Sequence, residues 1–440
     1  MNDSVIEPER YRQSLVESEK GRDPKEIGKS MINLGMATFS TGKLDEALII
    51  VDKAIEIARQ ANDTASLASY LGKRGVILFE MGKFEKAQEC FLSVLDLADK
   101  TGNQAHKCDA LGNLGLILAS TGDPEGCMEK LNEALAIARQ MGDSSRELTQ
   151  LGNIAYTYLQ VANIRESIRI YTLAIEISRK IGDRKSEAGY LNNLGVIYNH
   201  ISQHDLMIKT FEQVLEISIE IDDKNLTFNA LQHLAKGSFI RGEAEATIQY
   251  CRQALDLLPA LKSTPNQRTI RDLLITSLIQ EEHFREALDE IQKDLEKARL
   301  DEDKERELIL LGQLADIYYQ TGELQHSVSV FRLALDLAVR LNSKFLEGRL
   351  AGRLGALYAD LGDYGQSTQY IERAIRLAGS EKDMQTLGEQ YFLRALNYRE
   401  MGQLSDACND CQQSIAIFKK IGLISQAQQV QNYLADLQVS

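Results

Sequence analysis

Short words of similar composition recur in this chain at a fixed step of 40 residues. They begin at residues 111, 151, 191, 231, 311 and 351, and read LGNLG, LGNIA, LNNLG, LQHLA, LGQLA and AGRLG. The position that closes each word, extended along the chain, is occupied by Gly35, Gly75, Gly115, Ala155, Gly195, Ala235, Ala315, Gly355 and Ala395, with Ile275 as the one large residue. A constant step without net insertion indicates an array of equivalent structural units.

Each unit carries two further marks that predict a helical hairpin. Seven residues after the small residue stands Gly42, Gly82, Gly122, Gly242, Gly322, Gly362 or Gly402, replaced in other units by Ala162, Ser202 and Glu282. Glycine just past a helical run is a usual stop, because it adopts positive φ without a Cβ clash. The next segment has helical spacing, as in Ala47, Val51 and Ala54. A second stop such as Gly142-Asp143 closes the unit and can cap the following helix.

Composition agrees with an all-α protein. The 440 residues are 44% hydrophobic, contain five prolines, and show no conspicuous alternating strand pattern. No signal peptide or long apolar run is evident, and six cysteines spread over this length suggest free thiols, so we expect a soluble cytoplasmic protein. The net charge of −14 disfavours nucleic acid and favours basic partners.

The repeated pattern resembles that of the tetratricopeptide repeat (TPR) family, on Leu191, Leu194, Gly195, Tyr198, Phe211 and Val214. The 40-residue unit is similar to the longer-repeat branch that includes kinesin light chains and Leu-Gly-Asn repeat adaptors. The resemblance implies an α-solenoid, a right-handed superhelix here of ten helical hairpins with N- and C-terminal capping helices. It also implies an inner groove, lined by the first helix of each hairpin, that binds peptides or proteins.

The 40-residue step of the repeated motif divides the chain into five predicted segments. These are an N-terminal capping helix (1–23), repeats one to six (24–263), a degenerate repeat seven (264–303), repeats eight to ten (304–423) and a C-terminal capping helix (424–440). Repeat seven carries Arg271, Ile275 and Asp294 at positions that elsewhere are leucine or small. With the charged run 297–307 it is interpreted as a decayed repeat with a longer solvated linker, or else as a flexible joint or specialised binding segment. We expect 257–307 to be the least stable part.

Catalytic or metal-binding chemistry finds little support in the sequence. The word LGNLG favours helix packing over a phosphate loop, because no strand or GxxxxGK[ST] motif accompanies it. Cys408 and Cys411 form a CxxC without zinc co-ligands, and a predicted turn separates His200 from His204. We therefore expect no enzyme activity, no cofactor and no metal.

Recognition is predicted on the inner face of the first helices. The position two before each small residue is repeatedly asparagine, which is a poor helix former and needs a reason to be there. Either these amides bond the neighbouring hairpin, or they bind the backbone of an extended peptide. The candidate binding residues are Asn33, Lys73, Asn113, Asn153, Asn192, Asn193, Asn199, His200, Asn229, His233, Lys236, Arg349 and Arg353.

These observations favour a non-enzymatic scaffold or adaptor that binds an extended peptide or protein segment. Two alternatives stay open at this point: a regulatory receptor for a signalling peptide, and a self-assembling structural array. The expected partner is a protein or peptide, in particular a basic or extended one, with no nucleic acid and no membrane insertion.

Overall fold

The structure is a computed structural model that describes residues 3–21, 23–261 and 267–439. Within these ranges the chain forms 22 α-helices and one short 3-10 helix, and no strand. It divides into two compact units, Met1–Gln267 and Arg268–Ser440. The architecture is an all-α solenoid, as the repeat pattern predicts.

The first unit contains thirteen of the described helices. They are α1 Asp3–Gly21, α2 Pro24–Ser40, α3 Leu44–Gln60, α4 Thr64–Glu80, α5 Phe84–Thr101, α6 Gln104–Ser120, α7 Pro124–Met141, α8 Ser144–Gln160, α9 Ile164–Ile181, α10 Arg184–His200, α11 His204–Glu220, α12 Lys224–Ile240 and α13 Ala244–Leu257, followed by the 3-10 helix Leu258–Ala260. Each helix packs against the next, so the core runs between consecutive helices.

The second unit contains the other nine described helices. They are α14 Arg268–Gln280, α15 Phe284–Leu300, α16 Lys304–Gln320, α17 Leu324–Arg340, α18 Lys344–Asp360, α19 Tyr364–Glu381, α20 Met384–Glu400, α21 Leu404–Lys420 and α22 Ile424–Val439. None of the helices in the described residues is both long and apolar enough to span a membrane.

The predicted stops lie at the turns between helices. Gly122 has φ of 89° between α6 and α7, and Ser202, which replaces glycine between α10 and α11, is held at 58°. At the second stop, Gly142 has φ of 66°, and the Asp143 side chain accepts a hydrogen bond from the Arg146 backbone N–H. Positive-φ residues therefore end the helices at both ends of a hairpin, and a side-chain cap begins the helix that follows the second stop.

The small residues that recur at the 40-residue step lie where the two helices of a hairpin come closest. A Cβ at Gly75 would lie 2.6 Å from a ring carbon of Phe91, and one at Gly115 would lie 3.0 Å from Leu131 Cγ. LGNLG is part of α6 and not a loop. The packing interpretation of these glycines is confirmed, because the space that a side chain would occupy is filled by the facing helix.

The predicted solvated linker after repeat seven is wrong. α15 and α16 are separated only by the three residues 301–303, and the charged run continues into the first turn of α16. Within that run the side chains of Arg306 and Glu307 are buried, with 5% and 9% of their surface exposed. These two side chains are buried with partners of opposite charge within the unit, so this part of the run is not a linker.

Several ion pairs join α14, α15 and α16, and two of them involve residues of repeat seven that the sequence marks as unusual. Arg306 donates to Asp294 Oδ2 at 2.5 and 3.0 Å, and its remaining nitrogen lies 2.7 Å from Asp272. Arg271 donates to Glu290 at 2.9 Å. Arg271 and Asp294, which the sequence marks as disruptive, are thus each paired with an opposite charge, so charge alone does not make this repeat weak.

Candidate functional site

The first helices of the N-terminal hairpins form a continuous layer. α2 contacts α4, α4 contacts α6, and α6 contacts α8 directly. On each helix the position two before the small residue and the position one after it are three residues apart, so their side chains share one face. We call the exposed and half-buried side chains at these two positions of α2, α4, α6, α8 and α10 the first-helix face.

The first row of this face consists of Asn33, Lys73, Asn113, Asn153 and Asn193. Asn113 donates to the carbonyl oxygen of Asp109 in its own helix at 2.7 Å, and Asn193 donates to the hydroxyl of Tyr171 at a long 3.4 Å. Within the described residues the structure gives Asn153 no side-chain hydrogen bond. The row therefore retains donor and acceptor capacity that an added backbone could use.

The second row is apolar, which the sequence analysis missed. It consists of Met36, Val76, Leu116, Tyr156 and Val196, one residue after each small position; the first three are half-buried and the last two are exposed. The candidate binding residues proposed from the sequence were all polar or charged, so this row was not among them. The signal was present, because all five positions carry an apolar or aromatic residue at the 40-residue step.

Other predicted binding residues of the first unit are partly engaged. Asn229 donates to Asn192 Oδ1 at 2.6 Å and so ties α12 to α10. Asn199 is half-buried near the end of α10, whereas His200 and Lys236 are exposed. The amides of Asn192 and Asn229 therefore bond neighbouring hairpins. The sequence analysis gave this role as one of two alternatives for the asparagines of the first row.

His233 is packed inside the first unit. Its ring stacks on Phe211 with centroids 4.2 Å apart, and burial lowers the pKa of its imidazole to about 4, with a smaller contribution from Lys236. The ring is therefore neutral at physiological pH. We assign it a packing role.

The His233 burial makes stability depend on pH. Its pKa is lowered in the folded state from about 6.5 to about 4, so its stabilising contribution is present above pH 6.5 and is lost as the pH falls toward 4. At pH 5 the loss is about 2 kcal/mol. We expect His233→Phe, which keeps a stacking ring, to remove this part of the pH dependence. Urea unfolding of both proteins at pH 7.5 and pH 5 measures it, and parallel losses in the two would contradict the assignment.

A pocket of about 390 Å³ opens in the first-helix face between α4 and α6. Its apolar wall is formed by Met36, Ala68, Val76, Phe91, Val94 and Ala110. At its rim, Arg146 holds Asp109 through two nitrogens at 2.9 Å each. Lys73 is also at the rim, and the structure gives it no ion pair within the described residues. The pocket thus combines an apolar interior with one uncompensated cation.

Arg349 and Arg353 lie in the second unit, on α18. They border a polar pocket of about 460 Å³ that also reaches α20. Arg353 is 3.6 Å from Asp316, whose carboxyl pKa is raised because burial outweighs the two arginines, and Arg349 lies over the Phe345 ring at 5.8 Å.

The cysteines are packing residues. Cys411 is buried in α21 and Cys408 is half-buried one turn before it. Burial raises the pKa of the Cys411 thiol to about 11 and that of Cys251 to about 12, which disfavours the reactive thiolate. Across residues 3–21, 23–261 and 267–439 there is no group of three or more His, Cys, Asp or Glu side chains that could hold a metal ion.

Family models described as "Tetratricopeptide repeat" match four segments of the chain, 26–100, 188–218, 309–338 and 349–381. These four segments are tetratricopeptide repeats. A further model, described as "Anaphase-promoting complex subunit 5", matches residues 74–159 of this TPR protein. TPR solenoids are generally protein-interaction scaffolds, and they are typically not enzymes.

Solved structures are similar to this TPR protein in fold. A signal transduction ATPase with numerous domains and a TPR sensor, from Pyrococcus horikoshii, matches with a TM-score of 0.52 and 17% identity, over 74% of this chain and 52% of that chain. BtubC from P. vanneervenii matches at 0.43 and 15% identity, over 51% of this chain and 94% of that chain. The apo quorum sensor NprR from B. thuringiensis matches at 0.44 and 14%, over 76% and 98%. No curated protein matches the sequence.

Proposed function

We propose that this TPR protein is a non-enzymatic scaffold that binds an extended peptide segment on the first-helix face of its first unit. The observation that carries the proposal is the pairing of two rows on one face, polar at one position and apolar three residues later. The helices that carry them contact in turn from α2 to α8, and α10 bonds α8 through the Tyr190 hydroxyl. The asparagines of the first row supply donors and acceptors for a peptide backbone, and the second row supplies apolar surface for the peptide side chains.

Asn113, Asn153 and Asn193 are the residues to which we assign backbone recognition. They occupy one position in three consecutive hairpins, and only the long Asn193 contact reaches a neighbouring hairpin. In this they differ from Asn192 and Asn229, whose amides bond each other across hairpins. Asn33 and Lys73 extend the same row toward α2, while Asn199, His200 and Lys236 border it on α10 and α12.

The partner need not be basic, although the net charge of the chain favoured that expectation. Lys73 and Lys236 lie on or beside the face without ion pairs in the described residues, and the nearby carboxylate of Asp109 is taken up by Arg146. The excess negative charge of the chain therefore lies elsewhere than on this face. A neutral or acidic segment suits it better than a basic one.

Replacing Asn113, Asn153 and Asn193 together by alanine tests backbone recognition. Each lost hydrogen bond to a neutral partner costs about 0.5–1.5 kcal/mol, so affinity should fall roughly 10- to 1000-fold while the fold survives, because alanine is the better helix former. Twelve-residue peptides selected from a random displayed library on the wild-type protein serve as probes. Their dissociation constants are measured by calorimetry for both proteins.

The matched control is Asn192→Ala with Asn229→Ala, which removes amides that bond each other. We expect this pair to lower the melting temperature with little change in peptide affinity. If the triple variant instead melts at lower temperature and binds the selected peptides at wild-type strength, the amides serve hairpin packing and the proposal is wrong.

A further inference from the structure

The pocket between α4 and α6 exists because two facing positions are both small. The residue three before the small position is glycine in three consecutive hairpins, namely Gly72, Gly112 and Gly152. The side chain that can fill the space above each of them comes from the next first helix, 38 residues later. Those residues are Ala110, Gln150 and Tyr190 in turn.

In the next two hairpins this space is filled. A Cβ at Gly112 would lie 2.6 Å from Gln150 Oε1, and one at Gly152 would lie 2.9 Å from a ring carbon of Tyr190. The Tyr190 hydroxyl also donates to the carbonyl oxygen of Leu148 at 2.6 Å, which fixes the ring in place. Large side chains therefore close the layer between α6 and α8 and between α8 and α10.

Between α4 and α6 nothing fills the corresponding space. A Cβ at Gly72 would have no heavy atom within 4 Å, and Ala110 is too short to reach across. Both residues line the pocket of about 390 Å³. Its size lies at the lower end of the range for sites that enclose small ligands, and it is ample for one bulky side chain.

We infer that this pocket is the anchor site for one bulky apolar side chain of the partner segment, with a carboxylate of the same segment bound by Lys73. The inference rests on the proposed function and names the chemistry of its ligand. Val76, Phe91 and Val94 provide the apolar wall that excludes water from the anchor. Lys73 is the rim cation that remains available, because Arg146 is already held by Asp109 and Asp143.

Charge complementarity sets the position of the carboxylate. Lys73 follows Gly72 directly, so a carboxylate within one or two residues of the anchored side chain can reach it. Both an acidic side chain and the carboxyl end of a chain offer this chemistry. Ala110 and Gly72 act as specificity-determining residues, since their small size decides which pair of hairpins holds the anchor.

The probes are four short peptides tested by ligand-observed NMR on the full chain. The reference is the capped tetrapeptide Ala-Phe-Glu-Ala; the others replace Phe by Ala, replace Glu by Gln, or place Phe at a free carboxyl end without Glu. Losing the ring should weaken binding about 10- to 100-fold. Losing the carboxylate should weaken it about 2- to 5-fold and remove its salt dependence. Comparing the reference peptide with the peptide that ends in Phe distinguishes an acidic side chain from a chain end.

The decisive variant is Ala110→Gln, which copies the Gln150 arrangement that fills the next space. We expect the variant to keep its melting temperature within a few degrees of the wild type and to lose at least 10-fold in affinity for the reference peptide. Gln150→Ala is the matched control, because it opens the space between α6 and α8 and leaves Gly72 and Ala110 unchanged, so affinity for the reference peptide should not fall. Lys73→Gln should reduce affinity only for the peptides that carry a carboxylate.

Two results would overturn the inference: wild-type affinity in a folded Ala110→Gln variant, or no measurable binding of the reference peptide by the wild-type protein at millimolar concentration. The same measurements distinguish failure of this inference from failure of the proposed function. Library-selected peptides that lose affinity in the triple asparagine variant and not in Ala110→Gln would support the groove and reject the anchor; the reverse pattern would support the anchor and reject backbone recognition.

Discussion

Replacing Arg306 by methionine should lower the free energy of unfolding of the second unit by about 3–5 kcal/mol. The Arg306 side chain is 5% exposed and forms an ion pair with the buried carboxylate of Asp294. Its removal leaves that carboxylate without water and without a counter-charge. Asp272, the other carboxylate on this arginine, is partly exposed and can be hydrated. Urea unfolding followed by circular dichroism, with hydrogen exchange of α14–α16, measures the loss.

The double variant Arg306→Met with Asp294→Leu is the informative companion. Replacing a buried ion pair by apolar residues of similar size is often neutral or stabilising, so most of the loss should be recovered. Arg353→Met is the matched control, because Arg353 is 61% exposed and its ion pair with Asp316 is long, at 3.6 Å; its effect should stay below about 1 kcal/mol. A loss below 1 kcal/mol for Arg306→Met would show that Asp294 finds water.

Most of the fold was predictable from the sequence because its signals are local and repeated. The glycine after each first helix needs only its own φ, as at Gly122, and the small residue needs only the facing helix, as at Gly75. The charged run 297–307 was misinterpreted because its pairings are not local. Glu307 is buried because Arg299, eight residues earlier, donates to it at 2.8 Å and lowers its pKa, and a pairing across a turn leaves no local pattern.

The candidate site was predictable only in part. The amide row was found because asparagine is unusual within helices, as at Asn153, whereas apolar residues such as Val196 are common and were passed over. The pocket could not be predicted from either row, since it depends on the combination of Gly72 with Ala110, 38 residues away. His233 entered the predicted set by its position, but its half-buried ring stacks on Phe211 and so packs between helices.

Replacing Phe211 by alanine should destabilise the first unit by about 3–5 kcal/mol. The ring is 0% exposed, fills the space that Gly195 leaves open at the closest approach of α10 and α11, and stacks on His233 of α12. One side chain therefore joins three helices of two adjacent hairpins.

Because each hairpin is stabilised mainly by its neighbours, removing the Phe211 ring should weaken protection on both sides of it. Hydrogen exchange should show faster opening in α10, α11 and α12 together. The matched control is Phe345→Ala, a ring that is 46% exposed, for which we expect less than about 1 kcal/mol. Faster exchange confined to α11, with α10 and α12 unchanged, would mean that the ring fills space within one hairpin and does not couple it to the next.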